Sequence, residues 1–489
     1  MKPTHVTLLA IPGIGHLTPI LELAKHIVAF GSIDVSLLVL NTDASPAQSQ
    51  LLTSTILPKG LEIVDIPSVD IACFVDEQTD VVTRISVIVR ESLPHIESSI
   101  IKTARPTILV LDFFGTAALD IMVDNLCIQK YIFFPSTAAC LAFVMYLPTL
   151  DQQVDGEFIH LSEPIQVPGC TPIHIDDLVN PVQARYVDEY KWFLYHASRF
   201  PMAHGILINT CQDLEPISLS ALTENPILQQ IPMPPVYPVG PLIHMDKPMV
   251  QSKNECMTWL DNQPNDSVLF VSFGSSGTLS AEQVTELAWG LELSQQRFIW
   301  VVRKPSSTET TSGTFFTVGG GEQSNPCDYL PDGFMSRTKD VGFVVPSWAP
   351  QVDILAHKST GGFLSHCGWN STLESVLYGV PIIAWPLYAE QKMNATLLVE
   401  ELGVAVKPKV EKGEKVVRRE EIARAVRLVM KGKEVQNAMR ERVEEMKRSC
   451  LIALDEGGSS YNSLSQVIEK WKTSCIGLEN VNDDEERDV

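Results

Sequence analysis

The sequence is poor in the features that most readily announce a chemistry. Its ten cysteines are scattered without a C-x-x-C pair, so neither a structural zinc site nor a disulfide framework is expected, and a reducing compartment fits best. No D-x-D occurs, which leaves no obvious acidic pair to hold a divalent cation against a phosphate, and no metal is expected. A G-x-S-x-G elbow is missing too, and Cys367, set between His366 and Gly368, reads as a small buried residue rather than a nucleophile. No run of ~18 uncharged apolar residues is present. The N-terminus enters a strand directly, without a basic region followed by an apolar stretch. Together these exclude a membrane span and a typical signal peptide, and point to a cytoplasmic protein. Basic residues are scarce: 37 Lys and Arg against 59 Asp and Glu give a net charge of −22, which argues against nucleic acid or an anionic membrane as partner. Part of that acidity lies in the tail 476–489, with Asp483-Asp484-Glu485-Glu486, read as a solvated end.

What is present is a globular balance, 45% hydrophobic and 20% charged, in a chain long enough for two or three domains. Short β-rich runs alternate with helical patterns throughout, which argues for parallel sheets covered by helices. The expected strands are His5–Ala10, Val35–Leu40, Leu61–Asp65, Thr107–Leu111, Tyr131–Phe134 and Gly205–Asn209, then Ser267–Ser272, Phe298–Val302, Gly342–Val345, Gly362–Ser365 and Pro381–Trp385. Helices are expected between them, as at Pro19–Phe30 and Ala281–Leu293. No repeat of solenoid period is evident. Prolines at 232, 234, 235, 238, 241 and 248 mark a stiff connector, with a boundary near 241–254. Residues 304–328, rich in Ser, Thr and Gly, read as a surface loop. The long connection 151–185 is expected to shape a substrate pocket.

Four stretches place chemistry at the ends of expected strands. Pro12-Gly13-Ile14-Gly15-His16-Leu17 joins the first strand to the first helix, where open α/β sheets put their ligands. The third small residue of a dinucleotide fingerprint is replaced by Thr18, so a nicotinamide enzyme is weakly supported. Asp112 ends the strand 107–111 on the same sheet edge, within reach of His16. A His–Asp pair makes a general base: the carboxylate orients the imidazole and stabilises its charged form. The helix end lowers the His16 pKa and Asp112 opposes it, so a value near neutrality is expected. Gly274-Ser275-Ser276-Gly277 forms a turn after another strand. The fourth stretch runs from Trp348 to Gln391: a strand at Gly361–Ser365, a tight turn at His366–Trp369, and a helical pattern opening at Asn370. Ser371 and Glu374 have the spacing of a capping box. A helix N-terminus there suits a phosphate.

Over all 44 positions, Trp348–Gln391 resembles the signature box of plant secondary-product glycosyltransferases, with HCGWNSTLES in its middle. The resemblance implies an α/β fold of the GT-B type, two Rossmann-like domains facing across a cleft. Residues 1–245 would bind the acceptor and 246–459 the UDP-sugar, while 460–475 would form a helix returning to the first domain. It also implies roles. Trp348 would stack on uracil beside Ala349, and Gln351 and Glu374 would hold the ribose. His366, Asn370, Ser371 and Ser275 would hold the diphosphate, and Trp369, Glu390 and Gln391 would read the sugar. His16 would deprotonate the acceptor with Asp112 as its partner. The acceptor oxygen would then attack C1 of the sugar from the face opposite UDP, inverting the configuration. Ile14, Phe113, Phe133, Phe143 and Trp192, with Phe114 and Phe134, would line an apolar acceptor slot.

Gln391 and Trp369 favour glucose, and Glu390 stands where Asp is commoner. At the level of the whole chain, including NTDASPAQSQ, DFFGT and PLYAEQKMN, the match is closest to enzymes that glucosylate monolignols, hydroquinone and related small phenols. Ala117 departs from a second acid that related sequences often carry. The expected activity is β-glucosylation of a small phenolic of monolignol, phenylpropanoid, hydroquinone or coumarin type by a monomer, with UDP-glucose as co-substrate and no cofactor. Flavonoid glucosylation, or a non-catalytic UDP-sugar-binding role, stand as alternatives.

Overall fold

The computed structural model describes residues 4–31, 33–41, 46–76, 78–103, 108–121, 128–244, 255–305, 325, 328–411 and 413–485, the side chains of 474–485 excepted. Residues 42–45 of NTDASPAQSQ, Thr107, Pro248, most of the loop 304–328 and the end of the acidic tail lie outside them. Seven strands form one all-parallel sheet: β1 (Thr4–Ala10), β2 (Ile33–Leu40), β3 (Leu61–Ile66), β4 (Ile108–Asp112), β5 (Gln129–Phe134), β6 (Gly205–Ile208) and β7 (Val236–Pro238). Their order is β3-β2-β1-β4-β5-β6-β7. A second parallel sheet holds β8 (Val268–Ser272), β9 (Arg297–Val302), β10 (Gly342–Pro346), β11 (Thr360–Ser365), β12 (Ile382–Ala384) and β13 (Ala405–Val406), in the order β10-β9-β8-β11-β12-β13.

In each sheet the strand order reverses once, between β1 and β4 and between β8 and β11. Such a reversal opens a crevice at the carboxyl ends of the strands, because successive crossover helices leave on opposite faces. Four of the chemically suggestive stretches therefore sit at the two crevices: His16 after β1 and Asp112 at the end of β4, Ser275 after β8 and His366 after β11.

The central strands are buried on both faces, which is why β4 reads as an apolar run up to Asp112, while β1 buries His5 and Thr7 among its apolar residues. One face of the first sheet packs Leu17, Leu21 and Ala24 from the helix Ile14–Ala29 together with Leu464, Val467, Ile468 and Trp471 from the last helix, Ser459–Glu485. That last helix crosses back from the second sheet. Its Ser460 hydroxyl donates to the Gly240 carbonyl at 2.6 Å, and Lys470 donates to the Tyr237 hydroxyl at 2.7 Å. Its backbone stays helical to Glu485, past the point where a solvated tail was expected to begin.

The first helix starts five residues earlier than the sequence pattern predicts. The pattern opens the helix at Pro19, which lies inside it. Without an N–H, Pro19 cannot satisfy the carbonyl four residues back. That carbonyl belongs to Gly15, and it accepts instead from the Asn370 side chain of the second half at 2.9 Å. The edge strand β7 was hidden in the proline-rich stretch, which edge positions tolerate.

Candidate active site

His16 occupies the first turn of the helix Ile14–Ala29, after Gly13 makes the turn at φ 113°. Its Nδ1 lies 2.9 Å from the Asp112 carboxylate, and the pair is 19% and 0% exposed. The other carboxylate oxygen of Asp112 accepts from the Phe114 backbone N–H at 3.2 Å, capping the 3₁₀ turn Phe113–Asp120. Both oxygens are thus fixed, and so is the ring plane of His16. Burial pushes the His16 pKa down, but the charge and hydrogen bond of Asp112, aided by the charge of Glu390, carry it above its ordinary value. The balance near neutrality expected from a helix dipole is therefore tipped upward by two carboxylates.

Facing it, the box Trp348–Gln391 folds as one surface. The indole of Trp348 is 59% exposed, an available stacking platform. Gln351 Nε2 donates to Ser371 Oγ at 2.8 Å and to Glu374 Oε2 at 2.6 Å. This corrects the capping-box reading: the helix runs Trp369–Leu377 with Gly368 as its N-cap and no side-chain cap. Ser371 and Glu374 sit inside it, and Glu374 turns toward Gln351. Burial raises the Glu374 carboxyl to about 7, against the opposing pull of the Gln351 hydrogen bond and the charge of His244.

His366 is buried and neutral, its pKa pushed down to about 3 by desolvation and then by the nearby charge of Arg303. Its Nδ1 and the Oδ1 of Asn370 are buried without a hydrogen-bond partner among the described residues. Both lie at a helix N-terminus, where a phosphate would complete them. The imidazole is seated against two glycines: a Cβ on Gly274 would come within 2.3 Å of its Nε2, and one on Gly368 within 2.5 Å. Gly274 also has φ +74°. Alanine there combines a left-handed backbone costing about 1–3 kcal/mol with a clash, so Gly274→Ala is expected to lower the melting temperature by a few degrees. By displacing His366 it should also weaken UDP binding by about tenfold. Calorimetric titration and a thermal melt check both.

The remaining box residues fall into place unevenly. Glu390 accepts from Ser136 of the first half at 3.2 Å and from Asn394 at 3.3 Å. Gln391 uses its carbonyl on the Leu387 and Tyr388 backbone N–H groups at 2.9 and 3.0 Å, and its side chain also bonds the Tyr388 hydroxyl. Trp369 differs from expectation. Its buried indole donates to the Asn209 carbonyl at 2.7 Å, so the side chain joins the two halves and has no N–H left for a sugar. Ala349 buries its methyl among Cys256, Leu260 and Ile354. Ser275 lies half-buried on its turn.

On the acceptor side, Phe114 is 5.7 Å from the His16 ring, His196 is 5.4 Å from Phe114, and Trp192 stacks on His196 at 6.1 Å. The half-buried rings of Phe114 and Trp192 are the exposed ends of this row, joined through the fully buried His196, and Ile14 is half-buried on the turn that carries His16. Phe113 backs the row from the core at 4.3 Å from Phe114. Phe133 and Phe143 do not belong to the row. Both are fully buried, Phe133 on the opposite face of the sheet, because alternate side chains of β5 point to opposite faces. The connection 151–185 reaches the second half beside Glu390, where Asn180 N–H donates to the Ala389 carbonyl at 3.3 Å. Sequence reading missed Ser136, Asn209, His196 and Arg303. Three of these lie within two residues of a strand's carboxyl end, a position that itself marks candidates. No local signal marks His196, whose partners Ser86 and Thr116 are 110 and 80 residues away.

Two parallel sheets with their crevices facing, a His–Asp pair on one and a phosphate-suited helix end on the other, define a glycosyltransferase of the GT-B fold. Residues 232–443 match the family described as UDP-glucoronosyl and UDP-glucosyl transferase. The chain is 46% identical over 474 residues to anthocyanidin 3-O-glucosyltransferase 5 of Manihot esculenta, covering 97% of this chain and 96% of the relative. It is 44% identical over 474 residues to hydroquinone glucosyltransferase of Rauvolfia serpentina, covering 96% and 98%. The solved structure of Phytolacca americana UGT2 with UDP-2-fluoro-glucose and pterostilbene superposes with a TM-score of 0.84 at 42% identity, covering 96% of this chain and 100% of that one. The chain belongs to the plant family 1 UDP-glycosyltransferases and is a UDP-glucose-dependent glucosyltransferase. Among the described residues no helix is long and apolar enough to cross a membrane.

Proposed function

We propose that the protein transfers glucose from UDP-glucose to the hydroxyl of a small phenolic, with inversion to a β-O-glucoside, as a metal-independent monomer. The observation that carries this reading is the His16–Asp112 bond of 2.9 Å. It is set across the cleft from a phosphate-suited helix whose Asn370 touches the His16 turn. The acceptor hydroxyl gives its proton to His16 Nε2, and Asp112 holds Nδ1 and offsets the positive charge that forms. The phenolate oxygen attacks C1 of glucose in line while the bond from C1 to the UDP oxygen breaks. UDP leaves with the bonding pair. The helix end at Asn370 and Ser371, with His366, receives the growing charge. Trp348 holds uracil, Gln351 and Glu374 the ribose, and Glu390 and Gln391 the glucose hydroxyls. Residues 1–245 supply the acceptor side and 246–459 the donor side.

A phenol suits the half-buried rings of Phe114 and Trp192, and a relative named for hydroquinone supports a small acceptor. The relative named for anthocyanidin supports flavonoids as the second reading. Incubation with UDP-glucose, with and without EDTA, and a panel of coniferyl alcohol, coniferaldehyde, scopoletin, hydroquinone and quercetin distinguishes them. A gain of one hexose on the smaller phenols, unchanged by EDTA, is expected. Transfer to quercetin alone would move the assignment to flavonoids, and loss with EDTA would overturn metal independence.

Glu374 gives a pH dependence for the donor. The ribose hydroxyls need its ionised form as acceptor, yet in the empty site it titrates at about 7. Affinity for uridine, which has no phosphate to titrate, should rise as pH increases through 7, with proton release on binding. The effect should vanish in Glu374→Gln. Titration calorimetry in buffers of different ionisation enthalpy reads both.

A further inference from the structure

Arg303 stands at the carboxyl end of β9, next to the reversal point of the second sheet. Its side chain ties together two loops of the donor site. Nε donates to the Ser347 carbonyl at 3.2 Å, and Nη1 reaches the Gly277 carbonyl at 3.5 Å. Ser347 holds φ +66° and directly precedes Trp348, while Gly277 closes the turn that carries Ser275. The same cation adds to the burial that depresses the His366 pKa and opposes the burial that raises that of Tyr388, so its charge is felt at both side chains. No carboxylate among the described residues forms an ion pair with it.

Charge bookkeeping gives this placement its meaning. The side chains read above as donor ligands are neutral, apart from the carboxylates Glu374 and Glu390. A diphosphate adds further negative charge, which grows as UDP departs, in a chain already carrying −22. A partly buried guanidinium without a counter-ion meets that need at low reorganisation cost, since its hydrogen bonds already hold it in place. We propose that Arg303 is the cationic positioning residue of the donor site, locking the Ser347 and Gly277 loops and offsetting the diphosphate charge of UDP. This rests on the donor-site reading above.

The test compares UDP and uridine binding by calorimetry to the full-length protein and to Arg303→Gln and Arg303→Lys. Arg303→Gln should weaken UDP by about tenfold or more and uridine, which feels only the loosened Ser347 loop, by a clearly smaller factor of about two to three. Arg303→Lys should restore most of the UDP affinity, because the charge returns without the fork. Added salt should weaken UDP binding to the parent more than to Arg303→Gln. Uridine and UDP weakened equally would reduce Arg303 to a loop brace and overturn the electrostatic role; UDP unaffected by either substitution would overturn the whole inference. Failure of the parent protein to bind UDP would instead sink the donor-site reading. Retained uridine binding shows that the variants are folded.

Discussion

Alanine at position 16 lowers kcat on a phenol acceptor by about 10²–10⁴-fold, the contribution of a positioned general base, while leaving the dissociation constant for UDP within about twofold of the parent. The two readouts separate because His16 stands at the edge of the first sheet, and the residues proposed to hold the nucleotide stand on the second. Steady-state kinetics with a nitrophenol provide the internal control. That acceptor is far more acidic than an ordinary phenol of pKa ~10 and needs little help losing its proton, so its rate should fall much less. A uniform loss on both acceptors would mean that the substitution damaged the fold. The fully buried Asp112 left without its partner makes a modest fall in melting temperature part of the expectation.

Asparagine at position 112 is expected to lower the maximal kcat/KM by about 10²-fold and to move the acid limb of the pH profile downward. In the parent, burial alone would depress the His16 pKa; Asp112, by charge and hydrogen bond, overrides it with the help of Glu390. The base is therefore protonated and inactive below a pKa raised above 6.5, and the rate climbs as pH rises through it. With Asp112→Asn the main raising influences disappear while burial remains, so the His16 pKa drops and the limb follows. Protonated His16 stabilises the parent fold fully below its unfolded pKa, and that contribution is lost as pH rises through the raised folded value. Asp112→Asn should flatten this part of the stability curve. An acid limb that stays in place would show that another group titrates in the rate profile.

The strands were legible because a buried parallel sheet writes itself as short β-branched runs bounded by turns. The eleven expected strands lie within two residues of the observed ends, Thr107 aside. What escaped was either too short, as with β13, or written in residues that argue against a strand, as with the prolines around β7. The site was legible one side at a time. His16, Asp112 and Glu374 each occupy a strand end or a helix turn that local pattern reveals, whereas Gln351 stood out only through the family resemblance. Their pairing rules were not, since a capping spacing at Ser371 and Glu374 gives no hint that Gln351, twenty or more residues earlier, takes both side chains. Contacts across the cleft were least accessible. Trp369 spends its N–H on Asn209, 160 residues away, and Asn370 reaches Gly15 across 355. That second contact still has a local cause, the missing N–H of Pro19, which is a reason to ask of each early-helix proline which carbonyl it sets free.

The proposed reaction is a single displacement in which the acceptor oxygen enters opposite UDP, with no covalent link between glucose and the protein. Proton NMR of the anomeric region, followed from the first minutes of reaction with UDP-α-glucose, reads this directly. The first glucoside formed is expected to be the β anomer, recognised by its large trans-diaxial coupling, with UDP released in equal amount. An α-glucoside as the initial product would mean retention, and would contradict the roles given to His16 and Asp112.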